Sequence, residues 1–335
     1  MHSVEKIKRG NGCVLHPEVS FFDIGVPDSI LNVPGMLSTG ERMLLYSLSK
    51  RNYRGIGSII DAGSFMGSSV VASAQGLEDN PLFQGKKSFA LDRRKPVNSY
   101  ELGYLPKPAG GKEVTRNFCG KNYRMGDSFL PILKESIAPH QKLVKLNIGD
   151  LKRYKWTGRP IEICFIDVCK TSDLNRHVAQ QFMPCLIPAQ SYFLNQDFFF
   201  DRLPWIKVTM GYLEEYFDWY GQVFSTSIYK CKKQIPADVV AYDPFQEGTL
   251  DECLKYHDMH PRAYISDMYR LRMDISRAYL MALKGRKEDA LEYLDALGVT
   301  YEHVFEEGTA AAETNLMRYQ RAQRQIVRGV RKAMA

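Results

Sequence analysis

A strand, a glycine turn and the start of a helix can be read directly from residues 58–69, SIIDAGSFMGSS. The apolar run Ile59-Ile60 ends at Asp61-Ala62, and small and apolar residues continue after the turn to Leu77. This pattern predicts a buried strand followed by a helix over about residues 68–77. The glycine spacing differs from the G-x-G-x-x-G of dinucleotide-binding turns, because Gly63 opens the turn and Gly67 starts the helix.

Four more short apolar runs lie further along the chain, and each leads to an acidic residue. They cover residues 88–91, 143–148, 161–166 and 191–194, and the acids that follow them are Asp92, Asp150, Asp167 and Asp197. Helix-like segments over about 127–137, with Asp127 as N-cap, and 172–185 separate some of these runs. Such alternation predicts a doubly wound parallel sheet, whose ligands lie beyond the carboxyl ends of the strands.

The flanking segments differ in character from this alternating region. Ser38 and Glu41 form a capping box that predicts a helix over about 39–51. A helix near 205–217 precedes two runs, 220–224 and 227–231, that are too close for a crossover and should pair antiparallel. Beyond Pro236 helices are expected near 249–258, 262–284, 286–297 and 309–334. We therefore predict three regions: an N-terminal arm and helix (1–57), an α/β domain (58–233) and a C-terminal helical extension (234–335).

Composition excludes several classes of protein. The 335 residues are 44% hydrophobic and 25% charged, which disfavours global disorder and collagen-like sequence. Seven cysteines form no CxxC pair and no zinc spacing, and we interpret them as reduced thiols. Neither a signal-peptide h-region nor a run of about 20 apolar residues occurs, so we expect a cytoplasmic protein without a membrane partner.

Residues 38–233 resemble class I S-adenosylmethionine-dependent methyltransferases, especially the branch that contains catechol O-methyltransferase and methyltransferase family 24. The resemblance rests on five motifs in order, namely 58–69, Phe89-Ala90-Leu91-Asp92, Asn147-Ile148-Gly149-Asp150, 163–170 and Asn195-Gln196-Asp197. It implies an α/β, doubly wound, Rossmann-like sheet of seven mostly parallel strands with an antiparallel last strand, plus an N-terminal helical arm and a C-terminal helical extension. The implied function is methyl transfer, mainly O-methylation, to a small-molecule or sugar-type acceptor.

The resemblance also implies site residues. Asp92 would accept hydrogen bonds from the ribose of S-adenosylmethionine, and Asp150 would lie near adenine. The full set implied for cofactor binding is Asp61, Gly63, Ser64, Phe65, Gly67, Ser68, Asp92, Asp150 and Asp167. Lys170, Asp167 and Asp197 are implied for catalysis, with Lys170 as base. Asp167, Asp197 and Asn195 are the implied ligands if Mg²⁺ or another divalent cation is used.

Departures from the family pattern leave two alternatives open. Much of family 24 has histidine where Lys170 stands, and the acid and amide at 195–197 are in the reverse order of the catechol enzymes. A methyltransferase-like binding protein without catalysis is therefore one alternative. An NAD(P)-dependent oxidoreductase is the other, favoured by Asp92 with Arg93 and Arg94 but opposed by the missing G-x-G-x-x-G motif.

Two basic segments have further interpretations. Residues 93–126 are rich in basic and aromatic residues, and we predict a lid that contacts substrate; a solvated loop is the alternative, and nucleic acid is not an expected partner. Arginines at helical spacing from Arg318 onward predict an amphipathic basic helix. That helix either packs on its own domain with a solvated basic face or supports a homodimer or an anionic partner.

Overall fold

The structure is a computed structural model that describes residues 8–10, 13–83, 95–105, 116–118, 120–260, 262–306 and 308–330. The chain forms two compact units. The first consists of Met1–Val168, His177–Gln196 and Tyr216–Ala237, and the second of Cys169–Arg176, Asp197–Glu215 and Asp238–Ala335.

The first unit is built on a mixed sheet. Nine strands form the large sheet, and they are β1 (Lys8–Gly10), β2 (Cys13–Leu15), β3 (Ser58–Ala62), β4 (Val97–Glu101), β7 (Val144–Ile148), β8 (Ile161–Ile166), β9 (Tyr192–Asn195), β10 (Phe217–Val223) and β11 (Thr226–Cys231). The strands β5 (Arg116–Phe118) and β6 (Lys121–Tyr123) form a separate hairpin. The order in the large sheet is β1-β2-β10-β11-β9-β8-β3-β4-β7. The five strands β9, β8, β3, β4 and β7 are parallel to one another, whereas β11, β10, β2 and β1 pair antiparallel, β11 with β9 among them.

Helices connect these strands and make up most of the second unit. They are α1 (Asp28–Leu31), α2 (Thr39–Ser47), α3 (Ser68–Glu78), α4 (Leu130–Ile137), α5 (Ser172–Phe182), α6 (Pro204–Tyr212), α7 (Ala237–Ala241), α8 (Pro244–Glu247), α9 (Leu250–Asp258), α10 (Asp267–Leu283), α11 (Lys287–Thr300), α12 (Glu302–Glu306) and α13 (Ala310–Arg328). The predicted capping box is formed, because Ser38 Oγ accepts from the Glu41 amide and the Glu41 carboxylate accepts from the Ser38 amide. The predicted helix over 39–51 is α2 followed by a π-helical turn over Leu48–Asn52.

The predicted Rossmann-like α/β architecture is present, but the number of strands in the sheet is nine and not seven. The two additional strands come from the N-terminal arm, which was expected to be helical. β1 and β2 form a hairpin, and β2 pairs with β10 with Leu15 opposite Gly221. Val14 and Leu15 are buried on opposite faces of the sheet, so the arm is stabilised by burial and by strand pairing.

The strand beside β3 also differs from the prediction. Residues 88–91, predicted as this strand, and Asp92 lie outside the described residues. β4 occupies the position instead, with Ile59 opposite Val97 and Ala62 opposite Tyr100. β4 therefore lies inside the segment 93–126 that was predicted to be a lid.

Arg42 fixes the rest of the arm to α2. Its guanidinium is buried and donates to the carbonyl oxygens of Ile30, Leu31, Val33 and Leu37 at 2.6 to 3.2 Å. Carbonyl oxygens around one guanidinium satisfy its donors without a carboxylate partner, although burial lowers the pKa of Arg42. The arm is thus ordered by one side chain of the first long helix.

Helix packing forms the core of the second unit. Residues of α10, α11 and α13 share an apolar cluster whose fully buried members are Leu271, Ile275, Ala278, Tyr279, Ala290, Leu294, Ala322 and Ile326. The buried Asp274 in α10 accepts hydrogen bonds from the hydroxyls of Tyr293 and Tyr301 and pairs with Arg262. None of the helices within the described ranges combines the length and apolar character needed to cross a membrane.

Candidate active site

The strand order places a crevice next to β3. β4 and β8 lie on opposite sides of β3. From β3 the chain continues to β4 and β7 on one side and later returns to β8 and β9 on the other, so the strand order reverses at β3. In open α/β sheets, ligands bind in the crevice outside the carboxyl ends of the strands at such a switch point. The turn over residues 63–67 and the ends of β4, β7 and β8 belong to this edge.

Two glycines allow the backbone of this turn to take its path. Gly63 has φ +101° and Gly67 has φ +111°, a conformation that side chains disfavour. The Asp167 amide bonds to the Ala62 carbonyl oxygen at 2.7 Å, which holds the backbone of Asp167 against the turn. A Cβ atom on Gly63 would therefore lie only 2.7 Å from the Asp167 carbonyl oxygen. A Cβ on Gly67 would lie 2.9 Å from Ser136 Cβ. Both positions therefore exclude a side chain, and the backbone of the turn packs closely against its neighbours. Helix α3 begins at Ser68, directly after Gly67.

Asp61 is buried under the turn, with 1% of its surface exposed. Its Oδ2 accepts from Ser64 Oγ at 2.9 Å and from Ser69 Oγ at 3.0 Å, and Ser64 Oγ also lies 2.5 Å from Ser99 Oγ. Its Oδ1 is buried and has no hydrogen-bond partner among the described residues. Burial raises the pKa of Asp61 to about 7, with a further rise from Glu101, while the two serine hydroxyls lower it.

This raised pKa predicts a pH-dependent stability. An aspartate in the unfolded chain titrates near pH 4, so between about pH 4 and 7 the folded state holds a proton that the unfolded state has lost. The free energy of unfolding should fall as pH rises through this window, by up to about 1.4 kcal/mol per pH unit from this group. Urea unfolding of the wild type and Asp61→Asn at pH 5, 6 and 7 measures the difference. Parallel pH dependences in the two proteins would contradict the assignment.

Glu101 is the acid at the carboxyl end of β4, and the sequence reasoning missed it. Its Oε2 accepts from the Phe65 amide at 2.6 Å and its Oε1 from the Gly103 amide at 3.1 Å. Burial raises its pKa, whereas these backbone amides lower it. Glu101 bonds to Phe65 and Asp61 bonds to Ser64, so both carboxyls hold adjacent residues of the same turn, and the charge of Glu101 contributes to the raised pKa of Asp61. The structure thus brings together Asp61, the glycine turn and Glu101.

The end of β7 lies beside Glu101. The Gly149 amide bonds to the Glu101 carbonyl oxygen at 2.8 Å, which extends the pairing of β4 and β7 by one residue. Asp150 follows and caps a short 3₁₀ turn, accepting from the Lys152 amide at 3.0 Å. The predicted position of Asp150 at this edge is therefore observed, while its contact with a ligand stays a prediction.

An aromatic cluster covers one side of the turn. Phe65, which has φ +48°, packs edge-on against Phe129 and Phe118, with ring centroids 4.7 and 5.0 Å away. Phe118 belongs to β5, so the β5–β6 hairpin reaches the turn from within the segment predicted to be a lid. Residues 106–115 of that segment lie outside the described residues.

Asp167, Lys170 and Asp197 fall on different units. Asp167 follows β8 in the first unit and is partly exposed. In the second unit, Lys170 forms an ion pair with Asp197, whose side chain is 9% exposed against 55% for the lysine. Asn195 ends β9 in the first unit and is buried, and its Oδ1 has no hydrogen-bond partner within the described part of the chain.

The described residues do not fit the predicted divalent cation. The ammonium group of Lys170 already neutralises Asp197, one of the two predicted carboxylate ligands. Within the described ranges, no three histidine, cysteine, aspartate or glutamate side chains form a group that could hold a metal ion. We therefore assign no chemistry to a metal at Asp167, Asp197 and Asn195.

Comparison with known proteins gives limited similarity. No family model and no curated protein sequence matches the chain. Among solved structures, an O-methyltransferase from Bacillus cereus in complex with SAH is similar at 16% identity and a TM-score of 0.34, over 55% of this chain and 72% of that one. A Klebsiella pneumoniae protein named provisionally as an O-methyltransferase is similar at 13% identity and a TM-score of 0.36, over 63% and 93%. Neither likeness, at these values, determines the activity of this chain.

Proposed function

We propose that this protein is an S-adenosylmethionine-dependent methyltransferase that methylates a hydroxyl of a small-molecule or sugar-type acceptor. The observation that carries the proposal is the contact between the Glu101 carboxylate and the Phe65 amide. It joins the acid at the end of β4 to the glycine turn after β3, at the switch point of the sheet. A carboxylate at the tip of the second parallel strand is suited to bind the two hydroxyls of a ribose.

The residues of the turn fit such a nucleoside-bearing cofactor. Gly63 and Gly67 let the backbone of the turn pack closely against Asp167 and Ser136, and the buried Asp61 Oδ1 is an acceptor that lacks a partner in the described residues. We propose that Glu101 binds the ribose and that Asp150 lies near the adenine. Ser64, Phe65, Ser68 and Asp167 complete the proposed set as the residues that shape the turn and its border.

When bound, the cofactor supplies a methyl group on a sulfonium, from which a neutral thioether is a good leaving group. The protein then mainly has to hold the acceptor oxygen in line with that methyl group, which is catalysis by orientation. A hydroxyl acceptor also has to lose its proton, and Lys170 is the proposed base. Ion pairing with the buried Asp197 favours the charged form of Lys170, so the amine has to lose a proton before it acts.

This assignment predicts a pH profile. Methyl transfer to an acceptor found by screening should rise with pH in the wild type, and Lys170→Met should remove that rise while S-adenosylhomocysteine still binds. Asp197→Asn should shift the rise to lower pH, because it removes the charge that stabilises the ammonium form. A Lys170→Met protein with the wild-type pH profile would show that another group accepts the proton.

One titration tests the proposed function as a whole. We expect isothermal calorimetry to show saturable binding of S-adenosylhomocysteine and no saturable binding of NADH under the same conditions. Binding of NADH alone would favour the oxidoreductase alternative, and binding of neither would reject the cofactor assignment. Binding of S-adenosylhomocysteine without methyl transfer to any acceptor would favour the non-catalytic alternative.

A further inference from the structure

Four arginines and one aspartate form a cluster in the second unit, which we call the arginine cluster. Its members are Arg202, Arg272, Arg318, Arg321 and Asp201. Asp201 is fully buried, and it accepts from Arg318 Nη1 at 2.6 Å and from Arg321 Nη2 at 2.8 Å. Two arginines one turn apart on α13 therefore meet at one carboxylate.

The other two arginines lie beside this pair. The guanidinium carbons of Arg202 and Arg318 lie 5.2 and 5.1 Å from the ring centroid of the same residue, Phe200. Arg272 Nε donates at 3.1 Å to Oδ1 of Asn315, which precedes Arg318 by one turn of α13. The four guanidinium groups thus share one region on α10, α13 and the segment before α6.

The charges in this region do not balance. Among the described residues, the cluster holds four guanidinium groups and one carboxylate that pairs with its members, an excess of three positive charges. Burial lowers the pKa of Arg202; Arg321 and Arg318 add to this effect, whereas Asp201 and Tyr279 oppose it. Burial also lowers the pKa of Arg272, with Arg318 adding to the effect and Tyr269 and Asp201 opposing it. Because an arginine stays charged in proteins, such mutual repulsion is relieved by an anion and not by deprotonation.

Hydrogen-bond donors in the cluster are also in excess. The Nε atoms of Arg202, Arg318 and Arg321 and the Nδ2 atom of Asn315 are buried and lack a hydrogen-bond partner in the part of the chain that the structure describes. Asn315 is 1% exposed, and its Oδ1 is held by Arg272, which fixes its amide within the cluster. A buried donor without an acceptor is costly, so these groups indicate a missing acceptor-rich ligand.

A ligand has access to the cluster. The side chains of Arg318 and Arg321 are 19% and 33% exposed, although the carboxylate that they share is fully buried. The cluster is therefore open on one side and closed around Asp201 on the other. This arrangement differs from an exposed helix face with solvated arginines, which was one interpretation of the α13 sequence.

We propose that the arginine cluster binds the terminal phosphoryl group of a small molecule. A phosphate monoester carries up to two negative charges and three acceptor oxygens, which match the excess charge and the guanidinium and amide donors better than a single carboxylate does. This site is independent of the proposed methyltransferase function, since none of its residues belongs to the proposed cofactor-binding or catalytic set.

Calorimetric titration of the full chain with inorganic phosphate, pyrophosphate and glucose 1-phosphate, at constant ionic strength, tests the proposal. Saturable binding is expected for at least one of these probes. Arg202→Gln and Arg272→Gln should each weaken it by tenfold or more, because neither arginine pairs with Asp201. The matched control is Arg286→Gln. Arg286 is an exposed arginine of the same unit that pairs with Asp289, so the affinity of this variant for the phosphate probe should equal that of the wild type.

Thermal unfolding separates a ligand site from a structural ion-pair network. Without phosphate, Arg202→Gln should unfold at the wild-type temperature or higher, because it removes a repelled charge. Adding phosphate should raise the unfolding temperature of the wild type more than that of the variant. A lower unfolding temperature for Arg202→Gln together with unchanged phosphate affinity would assign the cluster a purely structural role. No saturable binding of any probe, or tighter binding of a single-stranded oligonucleotide than of glucose 1-phosphate, would overturn the proposal.

Discussion

Replacing Glu101 by glutamine should weaken the binding of S-adenosylhomocysteine by about 100-fold. In the proposed site the carboxylate accepts from both ribose hydroxyls, and hydrogen bonds to a charged group contribute about 1.5–3 kcal/mol each. Glutamine retains one oxygen acceptor and places an amide donor against the hydroxyls or the Phe65 amide. Calorimetry of the wild type and Glu101→Gln with S-adenosylhomocysteine gives the ratio of dissociation constants directly.

Asp92→Asn is the informative companion variant. The sequence resemblance implies that Asp92 binds the ribose, whereas the structure places Glu101 at the end of the strand beside β3. A large loss of affinity in Asp92→Asn with none in Glu101→Gln would restore the sequence-based assignment. Urea unfolding of both variants shows whether a loss of affinity comes from a loss of folding, since Glu101 also holds the Phe65 and Gly103 amides.

Local signals explain which parts of the fold could be predicted. The glycine turn and the helix after it depend on residues 58–77, and α3 is observed over Ser68–Glu78. The capping box of α2 lies within four residues and is also formed as predicted. These elements are specified by neighbours in the sequence, where propensity and capping act directly.

β4 shows why the second strand could not be located. Its residues Val97, Asn98, Ser99, Tyr100 and Glu101 do not form an apolar run, yet Asn98 and Ser99 are buried. The Ser99 hydroxyl contacts the Ser64 hydroxyl across the sheet edge, and the Asn98 side chain donates to the Pro96 carbonyl oxygen. A strand that buries a polar residue on each face shows neither a continuous apolar run nor a regular alternation, and so the acid at its end was missed as well.

Long-range pairing accounts for the other differences. The three residues of β2 become a strand because they pair with β10, about 200 residues later in the chain. Arg318 and Arg321 looked like part of a solvated or partner-binding face, but they pair with Asp201, 117 and 120 residues earlier. Sequence periodicity identified the helix α13 but not the partner of its charged side chains.

Gly63→Ala should be the most damaging single substitution in the turn. A Cβ atom at this position would lie 2.7 Å from the Asp167 carbonyl oxygen and 3.0 Å from Val168 Cγ1, and the φ of +101° adds strain. Overpacking costs about 1–3 kcal/mol and a left-handed backbone about 1–2 kcal/mol, so we expect the free energy of unfolding to fall by about 2–5 kcal/mol. Binding of S-adenosylhomocysteine should also be lost, because relief of the contact has to move the turn.

Gly158→Ala isolates the contribution of the contact from that of the backbone. Gly158 has φ +77°, lies in the same unit, and no atom lies within 4 Å of the position that its Cβ would take. This variant should lose only about 1–2 kcal/mol and keep full cofactor affinity. Urea unfolding and calorimetry of the two variants give the comparison. Equal losses of stability with intact binding in both would mean that the close approach of the turn to Asp167 does not shape the cofactor site, and the proposed site would then have to be sought elsewhere on the sheet edge.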